Sequence, residues 1–445
     1  MVFRSLHQWL QGSQAIRLNP LDQRVIVAFL AQVSGVGLSY GSQIVLARWL
    51  GVVEFGIYEY VVALVVLLGI LAGLGLPTAV LRFIAQYQVT RQWGELQGII
   101  RGSWGFTALM GLGLTMTLGT VIKLVHPIHG IYYPAVLVGI WLIPLLALAQ
   151  LQTEMARAIQ QIGLAYIPVR IVAPLLMLGG ALLWLNSNLP LKSEIVLGLS
   201  GVSLVIVLGG QWVLIQWQYR DRFPTSTPVY QPLTWLRVSL PLLLQGVFMV
   251  ILNQTDILMI GAWMTPEAVG IYSVAAKTAI WANFVLQAIN TVIAPLFTTL
   301  YTQRDQSGLR SLVRKAAHWI FWPSLVLIAG LAIFSGPILQ LFGQDFIAAQ
   351  PSMLTLLVGQ LFNVGCGSVG YLMVMTGHQN ESAMIFGWSA LANVILNGIL
   401  IPHWGILGAA IATALTMSLW NVWLHVLVVR HLQVYPSIVY GFQRQ

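Results

Sequence analysis

Charged side chains are scarce in this sequence of 445 residues. Asp, Glu, Lys and Arg together make up 7% of the chain, whereas 58% of its residues are hydrophobic. An average soluble domain carries roughly 25% charged residues, so this chain has too few to cover a surface in water. Intrinsic disorder is excluded as well, because a disordered chain combines low hydrophobicity with high net charge. The lack of charge therefore indicates an integral membrane protein.

Cysteine is almost absent too. The single Cys366 excludes an intramolecular disulfide and a cysteine-based metal site. No glycine-rich loop with lysine of the Walker type occurs, which argues against ATP hydrolysis by this chain. The few acidic residues on the loops are scattered, and the sequence contains no constellation of catalytic side chains. We therefore expect that the protein is not an enzyme and needs no metal and no cofactor.

Apolar residues are abundant and fall in long runs, without the alternation that marks the strands of an outer-membrane barrel. A helix needs about 20 mostly apolar residues to cross a membrane. The windows that meet this requirement lie at 25–47, 57–76, 103–122, 133–152, 163–185, 195–215, 238–260, 269–291, 319–335, 349–374, 382–401 and 405–428. We predict an all-α integral membrane fold of twelve transmembrane helices.

The basic residues are unevenly distributed between the two sets of loops. Sixteen of them lie in the two tails and in the loops after the even-numbered windows, whereas the opposite loops hold only Arg48, Lys123 and Lys192. Cytosolic loops of membrane proteins are enriched in lysine and arginine. Both termini are therefore predicted to be cytosolic, in a plasma (inner) membrane. The net charge of +9 faces anionic lipid headgroups, and no nucleic acid is expected as a partner.

The windows also define a domain plan. We predict a cytosolic amphipathic segment without a cleavable signal at 1–24, and a six-helix lobe at 25–216. A cytosolic linker at 217–236, a second six-helix lobe at 237–430 and a cytosolic tail at 431–445 complete the plan.

An internal repeat supports two lobes. Trp49 and Gly56–Tyr58 return as Trp263 and Gly270–Tyr272, an offset of 214 residues, and Gly163 returns as Gly377 at the same offset. Because each half has an even number of windows, both halves share one orientation. This predicts lobes related by a parallel pseudo-repeat, with an axis along the membrane normal and a central cavity between them.

Several segments resemble a known family. They include Ala47–Gly51 with Phe55–Tyr58, Ser239–Pro241 with Asp256, Phe342–Phe346, Asn393 with Asn397, and Gly405–Ala410. In order and spacing these segments resemble the polysaccharide transporters of the multidrug/oligosaccharidyl-lipid/polysaccharide flippase superfamily, from about residue 25 to 430. The resemblance implies two six-helix lobes around a cavity. It also implies a flippase that moves a polyprenyl-diphosphate-linked oligosaccharide from the cytosolic to the outer leaflet by alternating access, for surface polysaccharide biosynthesis.

Three other functions compete with this interpretation. A cation-coupled multidrug extruder belongs to the same superfamily, and a peptidoglycan-precursor flippase resembles a fourteen-span pattern rather than twelve. A membrane-embedded polysaccharide polymerase or ligase would need a larger outer loop than this sequence has. Apart from the lipid-linked sugar and membrane lipids, we expect a coupling cation and polysaccharide polymerase or glycosyltransferase machinery as partners.

Charged residues inside the windows are the first candidates for substrate contacts. A charge at the centre of a span costs about 2.5–3.5 kcal/mol on insertion scales, so each needs a partner or a water-filled cavity. Asp256 and Lys277 stand at similar depth on one hairpin and are predicted to pair, either for function or to stabilise a lobe. Arg48 and Glu59 flank the first hairpin in the same manner. Arg170 stands alone, and it either binds the diphosphate or extends towards the interface.

Amide side chains form the second set of candidates. Gln32 and Gln43 lie on one stripe of the first window, Asn283 and Gln287 on one stripe of the eighth, and Gln245 shares a face with Asp256 on the seventh. Amides that line a cavity can bind sugar hydroxyls. They also join helices, typically for under about 2 kcal/mol each.

Overall fold

The computed structural model describes residues 20–124, 130–224 and 226–438. Every regular element in these ranges is helical, which confirms the predicted fold class. The α-helices are Pro20–Gly73, Leu76–Thr90, Trp93–Leu124, Tyr133–Gly139, Leu142–Ala158, Ile162–Ile167, Ala173–Leu185, Ser193–Arg222, Pro232–Trp263, Pro266–Ala279, Phe284–Thr302, Gln306–Ile333, Ser335–Gln340, Gln350–Cys366, Val369–Met375 and Gln379–Leu432. Short 3₁₀ turns at Ile280–Asn283 and Gln344–Ala349 and a π-helix at Pro168–Val172 join some of them.

Two of the helical runs, Pro20–Gly73 and Gln379–Leu432, are 54 residues long. An unbroken helix of that length would measure roughly 80 Å, far more than the ~30 Å of a hydrocarbon core. Non-helical backbone interrupts the runs at Gly51 (φ 74°) and Gly405 (φ 58°), a left-handed region that glycine enters without steric cost. Each run therefore supplies two membrane-crossing arms.

Ten helical segments of the described chain are long and apolar enough to cross a membrane. Because two of them are divided at Gly51 and Gly405, the described residues contain twelve spans, as predicted. Spans 1 and 2 are the arms before and after Gly51, and spans 11 and 12 are the arms before and after Gly405. Spans 3 to 10 are Trp93–Leu124, Tyr133–Ala158, Ile162–Leu185, Ser193–Arg220, Pro232–Trp263, Pro266–Thr302, Gln306–Ile333 and Gln344–Cys366.

The connections between spans gather at two ends of the molecule. One end, here named the turn end, is joined by contacts of Arg48 Nε with Leu341 O (2.6 Å), of Ser193 N with Glu54 Oε2 (2.8 Å) and of Met264 with Gly405. The other, here named the basic end, is joined by contacts of Val229 N with Gly94 O (2.9 Å), of Arg222 with Ile159 O (2.8 Å) and of Arg310 with Gln433 O (3.2 Å). The loops therefore segregate into the two sets that the basic residues distinguished.

The two halves of the chain share one buried apolar cluster, which includes residues from Leu46 to Val434. Span 2 packs against spans 7 and 8 across the halves. A Cβ on Gly56 would lie 1.8 Å from the Pro266 oxygen, and one on Gly270 would lie 2.4 Å from the Val52 oxygen. Val52 and Pro266 are themselves 214 residues apart. Such a reciprocal contact is what a two-fold relation between the halves produces, so the repeat glycines lie at the pseudo-symmetry axis.

The predicted segment boundaries are only partly within the described chain. Most of the N-terminal segment 1–24 and the last part of the tail 431–445 lie outside the described residues. The helix of span 6 continues to Arg222 and span 7 begins at Pro232, both inside the predicted linker 217–236. The domain boundaries stay a prediction.

Candidate functional site

A lysine–glutamate ion pair joins the two halves within the membrane-spanning region. Lys277 Nζ on span 8 lies 2.5 Å from Glu59 Oε1 on span 2. The Glu59 side chain is 2% exposed and that of Lys277 is 30% exposed, so the carboxylate is buried while the lysine side chain is only partly buried. Lys277 Nζ also stands 5.9 Å from the centre of the Phe55 ring, which adds a cation–π contact.

The predicted pair of Lys277 with Asp256 is therefore wrong. Lys277 projects towards span 2, whereas Asp256 projects into its own half. The predicted pairing of Arg48 with Glu59 is wrong for the same reason, since Arg48 Nε donates to the Leu341 carbonyl oxygen at 2.6 Å. Sequence spacing determines the depth of a residue along a helix, whereas the helix rotation decides its partner.

The ion pair belongs to a row of contacts between the halves at the turn end. We name it the cross-half strip and define it by the pairs Tyr40–Thr278, Arg48–Leu341, Gly56–Gly270 and Glu59–Lys277. The hydroxyl groups of Tyr40 and Thr278 are 2.9 Å apart. The strip combines one ion pair, one hydroxyl pair, one bond to a carbonyl and one close backbone approach.

Asp256 lies in a buried polar cluster of the second half. Its carboxylate accepts hydrogen bonds from the Tyr272 hydroxyl, from the Ile257 amide (2.9 Å) and from the Thr413 hydroxyl (3.4 Å). Asn393 Nδ2 lies 3.5 Å from Thr413 Oγ1. Hydroxyl oxygens from spans 8 and 12 therefore lie against the acid of span 7, and Asn393 of span 11 lies next to Thr413.

We name this group the Asp256 cluster and define it by Asp256, Tyr272, Asn393, Asn397 and Thr413. Two further features mark it. Asn397 Nδ2 donates to Asn393 Oδ1 at 3.1 Å, and the buried Asn397 Oδ1 has no hydrogen-bond partner within the described ranges. The repeat offset places Ser42 at the position that corresponds to Asp256, so the first half lacks the acid. Among the described residues no three His, Cys, Asp or Glu side chains converge as a transition-metal site would require.

Arg170 is exposed on a π-helical turn of span 5. Its guanidinium carbon lies 5.1 Å from the centre of the Tyr166 ring, and its stem packs beside Gly35 of span 1. Within the described ranges Arg170 forms no ion pair. Single-turn π-helices frequently occur at functional sites, because the extra residue redirects a side chain. Arg170 thus presents a cation without a fixed counter-ion.

The predicted amides of span 8 contact span 10 and the residues that follow it. Asn283 Oδ1 accepts a hydrogen bond from Asn363 Nδ2 at 2.5 Å, and Gln287 Oε1 accepts one from the Tyr371 hydroxyl at 3.2 Å. These contacts favour the role of joining helices, although each amide retains unused donors. Gln43 Oε1 is buried without a partner among the described residues. Gln245 is half-buried, and the side chain of Gln32 lies outside the described residues.

Sequence analysis missed Tyr272, Thr413 and the roles of the asparagines as companions of Asp256. A signal was present, because Asn393 and Asn397 stand four residues apart on one helix face and both are buried in a membrane span. Paired amides on one face indicate a polar partner from another helix. The sequence does not reveal which helix supplies that partner.

Residues 21–301 match the family described as "Polysaccharide biosynthesis protein", which is more than half of the chain. The chain belongs to this family. Residues 241–399 also match the family described as "MatE".

Two named relatives are similar to this chain. "Probable low-salt glycan biosynthesis flippase Agl15" of Haloferax volcanii is 24% identical over 432 residues, which cover 95% of this chain and 86% of that protein. "Probable flippase AglR" of the same organism is 30% identical over 176 residues, covering 38% of this chain and 36% of that protein.

Two solved structures share the fold of this polysaccharide biosynthesis protein. An inward-facing multidrug resistance MATE family transporter of the MOP superfamily matches with a TM-score of 0.74 at 14% identity, covering 89% of this chain and 94% of the other. The lipid II flippase MurJ in an inward closed conformation matches with a TM-score of 0.72 at 13% identity, covering 92% and 88%. The fold is therefore the two-lobe fold of this superfamily, and the protein is a multi-pass membrane protein.

Proposed function

We propose that this protein is a flippase that moves a polyprenyl-diphosphate-linked oligosaccharide from the cytosolic to the outer leaflet by alternating access. The observation that supports it most is the ion pair of Glu59 with Lys277, which joins the halves inside the membrane at one end. The relatives named as flippases support the same class of substrate. Transport of this kind makes and breaks no covalent bond, so the proposal includes no catalytic residue.

The cations of the site suit the charged part of such a substrate. A diphosphate must pass about 30 Å of hydrocarbon, where an unpaired charge costs several kcal/mol even after relaxation. Lys277 and Arg170 are the accessible cations, and Arg48 stands at the turn end. Gln43, Gln245, Asn283 and Gln287 supply amides for sugar hydroxyls. Glu59 then pairs with Lys277 while no diphosphate is near, and it competes with the diphosphate for this lysine.

The orientation follows the distribution of the basic residues. We place the basic end and both termini in the cytosol and the turn end outside. The cross-half strip would then close the outer side of the central cavity that is predicted between the two lobes. It opens when the substrate is released to the outer leaflet, and the basic end receives the substrate from the cytosolic leaflet.

The Asp256 cluster is the proposed place for a coupling cation. A buried carboxylate beside the hydroxyl oxygens of Tyr272 and Thr413 can take up a proton, or it can hold a sodium ion with those oxygens as ligands. Either cation neutralises an acid that is 4% exposed. Transport rates under an imposed pH gradient and under an imposed sodium gradient distinguish the two cations. Asp256→Asn is expected to abolish the increase in rate that the effective gradient causes. The lipid-linked substrate further implies glycosyltransferase and polymerase machinery as functional partners.

The test is transport of a fluorescent lipid-linked oligosaccharide in vesicles that contain the purified protein. Wild-type protein is expected to expose the label to an external quencher faster than empty vesicles. Lys277→Gln is expected to lose most of this activity, whereas Lys123→Gln, which changes an exposed lysine in the last turn of span 3, is expected to keep it. Equal rates for empty vesicles and wild-type protein contradict the proposal.

A multidrug extruder is the second candidate, favoured by the match of residues 241–399 to the MatE family and by the MATE structure. Expression in a drug-sensitive host distinguishes the two. Resistance to lipophilic cations that requires Asp256, together with no flipping of the lipid-linked sugar, favours the extruder.

A further inference from the structure

A cavity lies apart from the cross-half strip, at the basic end of the molecule. It is bounded by the first part of span 3, by the segment before span 7 and by the start of span 7. Its volume is about 330 Å³, which falls in the range of roughly 300–1,000 Å³ typical of small-molecule sites. The walls are mainly apolar and include Phe106, Leu109 and Leu236. The cavity therefore suits a hydrocarbon segment.

Two donors without partners accompany these apolar walls. Trp235 is 4% exposed, and its indole Nε1 has no hydrogen-bond partner within the described part of the chain. Arg101 is exposed on the same cavity and forms no ion pair with any described residue. An indole and a guanidinium donate hydrogen bonds and accept none. The Nε1 atom of Trp235 is itself buried, so the exposed guanidinium of Arg101 is the donor that an anion with several acceptor oxygens can reach from this cavity.

The order of these residues along span 3 places charge and hydrocarbon at different depths. Leu109 follows Arg101 by eight residues, so it lies roughly 12 Å further along the helix, towards the middle of the span. Gly105 stands between them, and a Cβ there would meet nothing within 4 Å. A ligand can therefore present its anion to Arg101 and pass a chain over Gly105 to Leu109.

We propose that this cavity captures the prenyl diphosphate part of the substrate from the leaflet at the basic end. The proposal rests on the flippase function proposed above and assigns a loading position to it. A diphosphate offers two adjacent anionic groups to the planar fork of Arg101, whereas a phospholipid offers one phosphate. The substrate would then move from here to Lys277 at the cross-half strip.

The test uses two matched glycines of span 3. Gly105→Leu fills the cavity, whereas Gly113→Leu, eight residues further, lies outside it. A Cβ at either position would meet nothing within 4 Å, so neither change creates a clash at the Cβ atom. Binding of geranylgeranyl diphosphate to the purified full chain is measured by native mass spectrometry. Gly105→Leu is expected to bind about tenfold more weakly than Gly113→Leu, the loss that follows when roughly two methylene groups leave an apolar site.

The anionic part is tested with a second matched pair and three control ligands. Arg101→Gln is expected to weaken binding of the diphosphate but not of geranylgeraniol, and Arg82→Gln, an exposed arginine outside the cavity, is expected to bind like wild type. Inorganic pyrophosphate, which lacks a chain, is expected to compete poorly. Phosphatidylglycerol that competes as well as the diphosphate would overturn the assignment in favour of a general anionic-lipid site.

The outcomes separate this site from the proposed function. Equal binding by the two leucine variants overturns the site, even where vesicle transport is intact. Selective loss in Gly105→Leu supports the capture site, and it does so independently of the transport measurement because no flipping is required to observe it.

Discussion

The exposure of the two members of the cross-half ion pair differs, and this difference decides what each contributes. Glu59 is almost fully buried, whereas Lys277 keeps about a third of its side chain exposed. Removing the lysine leaves a carboxylate in a site of low dielectric with no counter-ion. Removing the glutamate leaves an ammonium that water or a phosphate can still reach. The buried carboxylate therefore depends on the lysine more than the lysine depends on it.

This asymmetry leads to a prediction for stability. Lys277→Met should lower the free energy of unfolding by about 2–3 kcal/mol, somewhat less than splitting a fully buried pair, because Lys277 is partly exposed. Glu59→Gln should cost less, and the double variant should be more stable than Lys277→Met alone. Unfolding by SDS titration measures all three. Additive losses in the double variant would show that the two residues do not interact.

Tyr272 carries a second prediction at this scale. Its hydroxyl donates to the buried Asp256 carboxylate, whereas the repeat-related Tyr58 bonds to the neutral Ser200. A hydrogen bond to a charged group is worth about 1.5–3 kcal/mol and a neutral one about 0.5–1.5 kcal/mol. Tyr272→Phe should therefore destabilise the protein more than Tyr58→Phe in the same SDS titration. Equal losses of stability would indicate that the Asp256 carboxyl is protonated, and therefore neutral, in the folded protein.

At the level of helices, the contact of Gly56 with Gly270 sets how closely spans 2 and 8 approach. A Cβ on Gly56 would lie 1.8 Å from a backbone oxygen, a distance that forces the two hairpins apart. Gly56→Ala is therefore expected to lengthen the distance between spin labels at Val53 and Glu267, in a background with Cys366→Ser. Gly41→Ala on span 1 has open space at its Cβ and serves as the control. An unchanged label distance in Gly56→Ala would mean that the turn end closes without this contact.

The cap of span 9 predicts a pH dependence. Asp305 Oδ1 accepts hydrogen bonds from the Gly308 amide and the Ser307 hydroxyl, both at 2.8 Å, and these bonds lower the pKa of the Asp305 carboxyl below its ordinary value. The stabilisation is therefore complete above the ordinary pKa of aspartate and is lost as pH falls through the lowered value. Hydrogen exchange of amides 306–309, corrected for its intrinsic pH dependence, should show the loss. Span 8 is capped by the hydroxyl of Thr265, and the amides after it should not respond.

The helices also show what sequence reasoning can and cannot reach. The spans and the 214-residue repeat follow from apolar length and periodicity, which are local properties. The partner of Lys277 depends on how spans 2, 7 and 8 are rotated about their axes, and no local property sets that rotation. For the same reason Asp256 was recognised as important while Tyr272 and Thr413 were not. The repeat glycines Gly56 and Gly270 meet in the structure because residues near a symmetry axis meet their own equivalents, a contact that the sequence analysis did not predict.

Over the whole molecule, the two halves have the same fold but different chemistry. The Asp256 cluster lies in the second half, and the corresponding place in the first half holds Ser42. Arg170 and the capture cavity lie in or beside the first half. Under the proposed function, symmetric lobes would allow a rocking motion about one axis, and the asymmetric side chains would let one lobe bind the coupling cation while the other receives the lipid. A symmetric distribution of charge would not separate these tasks.

The orientation of the whole molecule gives the last prediction. Sixteen basic residues lie in the tails and loops of one side and three in the opposite loops, so the basic end should face the cytosol. Single cysteines are introduced as Ser187→Cys at the turn end and Ser307→Cys at the basic end, both with Cys366→Ser. A membrane-impermeant maleimide applied to intact cells should label only the first, and permeabilised cells should label both. Both serines are exposed, so access to the side chain does not limit the reaction. Labelling at position 307 in intact cells would invert the proposed direction of transport, because the basic end would then face outside and the cross-half strip would close the cytosolic side.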